Sequence, residues 1–153
     1  MTLRTLAATA ICTLGLAAVA TLTGCATTNS TDDTRLAATS GDAFANAIRS
    51  GSIADAQAKA SEQGKMLLVF GTASWCGPCQ RMKATTWTDQ RVINWTRNNA
   101  VIYYLDGDEH PDARQSLDIN AYPTVIAFRG RQEVDRLRGG RNPDDFMQWL
   151  NEL

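Results

Sequence analysis

The chain holds a single histidine, His110, and only four cysteines among 153 residues. One imidazole makes a histidine-rich metal centre or a histidine-dependent triad an unpromising reading. Lysine is scarce too: three against twelve arginines, scattered along the chain, with a formal net charge of −1. No basic patch emerges, which argues against a nucleic-acid partner and against an acidic polymer as substrate. No internal repeat is visible. The longest apolar run, Leu6 to Leu22, is diluted by threonines and lacks the length and purity of a good membrane span. With 44% hydrophobic and 20% charged residues, the composition is that of a globular protein, and the length predicts one domain plus an extension.

The extension is at the N-terminus. Met1 to Arg4 carries one positive charge, the apolar run follows, and it meets Leu22-Thr23-Gly24-Cys25. This resembles the lipobox of bacterial lipoproteins: an aliphatic residue, two small residues and a lipid-bearing cysteine. The small residues leave the backbone open to the peptidase. The resemblance implies a leader over residues 1–24, cleavage before Cys25, and acylation of the Cys25 thiol and its new amino group. Several acyl chains anchor a protein stably where a single one does so only marginally. A plain signal peptide or an uncleaved anchor are the competing readings. Residues 26 to 40, "ATTNSTDDTRLAATS", are polar without periodicity. With Cys25 they form an expected tether, residues 25–40, whose fifteen polar residues span roughly 50 Å extended and about 20 Å as a coil. Residues 41–153 then form the domain.

On that reading the mature chain keeps two cysteines, Cys76 and Cys79, because Cys12 leaves with the leader and Cys25 carries lipid. A zinc site needs four ligands, and no second cysteine pair or histidine pair exists to complete one. A c-type haem motif needs histidine after the second cysteine, where the chain has Gln80. A purely structural disulfide gains little from closing so small a loop. What remains is a redox couple.

The pattern around the pair predicts the elements. Ser40 to Gly64 reads as helix, with a break near Ser50-Gly51 and Ser52 as an N-cap ahead of Asp55. Met66 to Phe70 is a continuous apolar run of strand length, as a strand covered on both faces should be. A helix follows from about Cys76 to Thr85, and another, capped by Thr88 or Asp89, ends at Asn98-Asn99. Val101 to Leu105 is a strand and Pro111 to Leu117 a short helix. Thr124 to Phe128 and Glu133 to Arg138 form a hairpin around Arg129-Gly130-Arg131. Pro143 opens a last helix with a stripe of Phe146, Trp149 and Leu150. The order is αβαβαββα.

"WCGPC" after a buried strand, "AYPT" at 121 to 124 and "RGGR" at 138 to 141 together resemble the thioredoxin family over roughly residues 42 to 153. A lone CxxC is a weak signal; the strand, the motif and a proline 44 residues after Cys79 together are specific. Within the superfamily, the stretch from Phe70 to Trp95 is most similar to periplasmic thioredoxin-like domains. One example is the soluble domain of the transmembrane thiol:disulfide interchange reductase. The fold implied is α/β, a mixed four-stranded sheet in order 2-1-3-4 with helices on both faces.

The resemblance also implies roles. Cys76, at a helix N-terminus, is the expected nucleophile, because unpaired N–H groups and the helix dipole favour its thiolate. Cys79, one turn further in and more buried, resolves the mixed disulfide. Gly77 and Pro78 form the active-site loop, Pro78 being tolerated in a first helical turn. Trp75 is expected to shield the pair from water. Pro123 matches the family's cis-proline, with Tyr122 pairing its backbone to a substrate segment and Gly139 or Gly140 admitting close approach. Packing aromatics and a plain loop are the bland alternatives for these groove residues. No cofactor or metal is implied. Cysteine-containing proteins are the expected substrates, apocytochrome among them, with a membrane thiol reductase as electron donor and the membrane as anchor through Cys25. Gly-Pro between the cysteines resembles the reducing members. An oxidase or isomerase, and a binding module with the cysteines locked, are the rivals. The chain departs from the family pattern at two positions. Phe70 stands where cytoplasmic members carry a buried aspartate, and Tyr104 where they carry a lysine. His110 is expected to be exposed at a helix start and receives no role.

Ala26 rather than aspartate after Cys25 favours the outer membrane in a Gram-negative cell. If Cys25 carries lipid, Cys25→Ser should leave a soluble or unprocessed protein and abolish fatty-acid labelling. Unchanged membrane attachment and mass in that variant would sink the lipobox reading.

Overall fold

A computed structural model describes residues 41–153. The expected leader, lipid site and tether lie outside the described residues. Helix α1 (Ile53–Glu62) is fixed at its start by a capping box. The Ser52 hydroxyl accepts the Asp55 N–H at 3.1 Å, and the Ser52 N–H donates to the Asp55 carboxylate at 3.2 Å. Of the helix expected from Ser40 onward, the described residues ahead of Ser52, 41–51, form none. There the Asp42 carboxylate accepts the Phe44 N–H at 3.0 Å, a local bond that competes with helical pairing. Gly51 then takes a left-handed φ of 92°. Between them Ile48 bridges to the sheet, donating to the Ile102 carbonyl and accepting from the Tyr104 N–H, both at 2.8 Å.

Strand β1 (Met66–Thr72) is buried along nearly its whole length. It pairs in parallel with β2 (Ala100–Asp106), Phe70 opposite Tyr104, and antiparallel with β3 (Thr124–Arg129). Strand β4 (Gln132–Arg138) completes a hairpin with β3 through Gly130, φ 61°. The sheet order is β2-β1-β3-β4. Between β1 and β2 run two separate helices, α2 (Gly77–Thr85) and α3 (Gln90–Asn99), the latter capped by Asp89. The short α4 (Pro111–Ser116) follows β2, and α5 (Pro143–Glu152), capped by Asn142, ends the chain. The expected sheet order and two-sided helix cover are thus both present. No helix among the described residues is long and apolar enough to cross a membrane.

The alternation of β1 divides the core in two. Leu68 and Phe70 face a layer holding Cys79 and Met82 of α2, Val92 of α3, and Phe146 and Trp149 of α5. Leu67 and Val69 face Ala56 and Ala60 of α1 together with Tyr103, Leu105 and Ile126. On this second side the Tyr103 hydroxyl donates to the Gly51 carbonyl at 2.7 Å, and burial pushes its pKa up.

Phe44 is what fastens the irregular segment to the first layer. Its ring lies 5.2 Å from Phe70, 4.7 Å from Trp87 and 5.4 Å from Tyr104. Phe44→Ala should cost about 3–5 kcal/mol of stability through the cavity it leaves. Urea unfolding should show a lower midpoint at an unchanged slope.

Candidate active site

After β1 the chain turns through Ala73, Ser74 and Trp75. The Cys76 N–H donates to the Ala73 carbonyl at 3.2 Å, closing the turn. Cys76 is the N-cap of α2, with Gly77 and Pro78 opening the helix where a missing proline N–H breaks no ladder bond. Cys76 and Cys79 are joined as a disulfide with Cα atoms 5.2 Å apart. The Cys76 sulfur also accepts the backbone N–H of Cys79 at 3.2 Å. The expected contrast in burial is slight, 3% exposed for Cys76 and none for Cys79. Position on the helix separates them instead. Once the pair is reduced, the sulfur at the N-cap is the one facing an orphan N–H and the positive end of the helix dipole.

Two loops from elsewhere in the chain meet this helix start. The Tyr122–Pro123 peptide bond is cis, and the Thr124 hydroxyl donates to the Ala121 carbonyl at 2.8 Å. The Gly139 N–H, at a left-handed φ of 83°, donates to the Pro123 carbonyl at 2.8 Å. A Cβ on Gly140 would sit 3.7 Å from the Pro78 carbonyl oxygen, in ordinary contact, so this loop lies against the α2 start. The Thr86 hydroxyl donates to the Arg141 carbonyl at 2.5 Å and ties this loop to the far end of α2.

Trp75 lies at the surface of the site. The indole is 70% exposed. It donates to the Asp108 carboxylate at 2.8 Å and meets Tyr122 edge-on, centroids 5.8 Å apart. Most of the residue faces solvent, while both cysteines belong to the core layer. The Tyr122 hydroxyl is buried without a partner, against Gly107, where a side chain would collide with it. Asp108 and Gly107 are residues of this site that sequence reasoning missed. The only local signal was a glycine between two aspartates after an apolar strand. His110, half-buried rather than exposed, precedes α4 and makes no side-chain cap bond. Phe70 is fully buried among aromatic rings, 5.3 Å from Trp87 and 5.9 Å from Tyr104.

The sequence profile of the thioredoxin-like family matches residues 47–130. The chain belongs to the thioredoxin-like family. Among its relatives is protein disulfide isomerase-like 2-2 of Oryza sativa subsp. japonica, 32% identical over 92 residues, which are 60% of this chain and 24% of that protein. Thioredoxin H4-1 of the same plant is 32% identical over 87 residues, 57% of this chain and 63% of the relative. The chain thus spans about a quarter of the first relative and less than two thirds of the second. A thioredoxin from Thermus thermophilus, solved in solution, superposes with a TM-score of 0.60 at 24% identity, covering 69% of this chain and 86% of that one. That likeness carries the fold.

The geometry of this thioredoxin-like site makes the two sulfurs unequal. In the reduced protein Cys76 should be alkylated before Cys79 at neutral pH, with an apparent pKa below that of a free thiol. Mass mapping after brief alkylation checks the order, and faster labelling of Cys79 would refute the helix-terminus argument.

Proposed function

We propose that this chain is a thiol:disulfide oxidoreductase that works outside the cytoplasm, tethered by lipid on Cys25, and reduces disulfides in cysteine-containing proteins. The observation that carries the reading is the Cys76–Cys79 pair set across the first turn of α2, with the Cys79 N–H on the Cys76 sulfur. In the reduced enzyme the Cys76 thiolate attacks a substrate disulfide and forms a mixed disulfide, expelling one substrate thiolate. Cys79 then attacks the Cys76 sulfur, the second substrate thiolate leaves, and the enzyme disulfide re-forms. Two electrons pass from the enzyme dithiol to the substrate, and a membrane thiol reductase restores them. The substrate segment lies beside Tyr122 and Pro123, with Gly139 and Gly140 closing the other side and Trp75 offering an exposed aromatic face.

Relatives are named both as thioredoxin and as protein disulfide isomerase, so the direction of electron flow is the point to test. Gly77-Pro78 between the cysteines favours reduction. Equilibration with a glutathione buffer should therefore give a potential nearer the roughly −270 mV of thioredoxin than the roughly −180 mV of protein disulfide isomerase. A value at or above the latter reverses the assignment to oxidase or isomerase. In cells, Cys79→Ser should accumulate partners covalently held on Cys76. An empty trap, with the wild-type pair resistant to reduction, would favour a binding module.

A further inference from the structure

Resolution of a mixed disulfide needs Cys79 as a thiolate, yet Cys79 is fully buried, and burial disfavours an anion. Among the described residues no carboxylate is buried that could accept its proton. Aromatic residues and cysteines apart, the buried polar side chains among the described residues are Thr72, Thr86, Thr96 and Thr124. In the core layer that holds Cys79, β1 contributes Phe70, β3 contributes Val125 and α5 contributes Phe146, none of which ionises. The loop after β4 sends Arg141, whose carbonyl is bound by Thr86. Strand β2 contributes Tyr104, and the segment ahead of α1 contributes Arg49, whose guanidinium carbon lies 4.2 Å from the Tyr104 ring centroid.

Helix α2 itself contributes Lys83. It follows Cys79 by four residues, a spacing that puts both on one helix face with Cβ atoms about 5–6 Å apart. Its side chain is half-buried. The ammonium donates to the Tyr104 hydroxyl at 3.0 Å and lies 5.5 Å from that ring's centroid. Tyr104 in turn is the register partner of Phe70. None of the ion pairs among the described residues involves Lys83, so its charge is not cancelled by a bound carboxylate.

We propose that Lys83, held by Tyr104, supplies the positive charge that stabilises the Cys79 thiolate during resolution, with Tyr104 as the residue that positions it. The inference rests on the oxidoreductase reading above. In the step concerned, the Cys79 proton passes to water and the thiolate attacks the Cys76 sulfur. The bond between Cys76 and the substrate breaks, and its electron pair leaves on the substrate sulfur, which takes up a proton from water. The Cys76–Cys79 bond forms. The enzyme loses two electrons and the substrate gains them.

Single-turnover kinetics on a model disulfide peptide, resolving attack from release across the thiol titration range, test this. Lys83→Met should move the pH midpoint of release upward by roughly one unit, the lower end of what a nearby charge achieves. Release should then slow by up to about tenfold below the midpoint, which is what one unit means, with attack by Cys76 unchanged. Lys83→Arg should restore the midpoint, and Tyr104→Phe, which frees the ammonium but keeps the ring, should shift it in the same direction by less. The thiolate absorbance of Cys79, titrated in a Cys76→Ser background with and without Lys83→Met, should move alike and is independent of turnover. Coincident titrations and release profiles with and without Lys83 overturn the inference, as does a shift produced by Arg49→Met and not by Lys83→Met. A wild-type protein that forms no mixed disulfide with the peptide instead overturns the oxidoreductase reading, and the Cys79 titration still decides the role of Lys83.

Discussion

Burial of β1 on both faces is the constraint from which the site follows. A strand covered above and below has to carry large apolar side chains in both directions, and Leu67, Leu68, Val69 and Phe70 do. Because β1 sits inside the sheet, flanked by β2 and β3, its C-terminal end has neighbours on either side. The turn after Thr72 delivers Cys76 to the start of α2. The loop after β2 brings Gly107 and Asp108 to the same end, and the segment before β3 brings Tyr122 and Pro123. In open α/β sheets such strand ends are where ligands bind.

The first core layer sets the chemical character of that end. Phe44, Phe70, Trp87, Tyr104 and Phe146 form a chain of tilted and edge-on aromatic contacts. Such contacts add to plain area burial. They leave little to solvate a charge, so the medium beneath Cys79 is apolar. Phe70 contributes to both effects. It strengthens the packing and removes any acceptor from its place in the strand. Polar function is displaced to the rim, to the Trp75–Asp108 bond, the Lys83–Tyr104 contact and the Gly139–Pro123 bond.

Helix ends do the electrostatic work available to so apolar a site. The Cys79 N–H on the Cys76 sulfur is a backbone donor, held by the same turn that closes the disulfide. It costs no side-chain ordering. The loop opposite is held as firmly, between the Pro123 carbonyl and the Thr86 hydroxyl. The two cysteines thus sit between elements whose separation is set by hydrogen bonds rather than by flexible side chains.

Much of this was legible in the chain before folding. The apolar run at Met66 to Phe70, a cap at Thr88 or Asp89, Pro143 and the Gly130 hairpin are local patterns, and local patterns dictate local elements. The thioredoxin-like motifs carried the sheet order and named Cys76, Cys79 and Pro123. Residues 41–51 are not the helix that the sequence suggests there. Their shape is decided by Asp42 bonding its own backbone and by Ile48 reaching a strand edge far along the chain. The exposed setting of Trp75 was out of reach for the same reason, since its partners Asp108 and Tyr122 lie more than thirty residues away. So was the docking of Lys83 on Tyr104, which lies on a strand twenty-one residues further along the chain. Spacing along one helix or strand is a property of sequence; which side chains meet across elements depends on packing, and only the tertiary structure decides it.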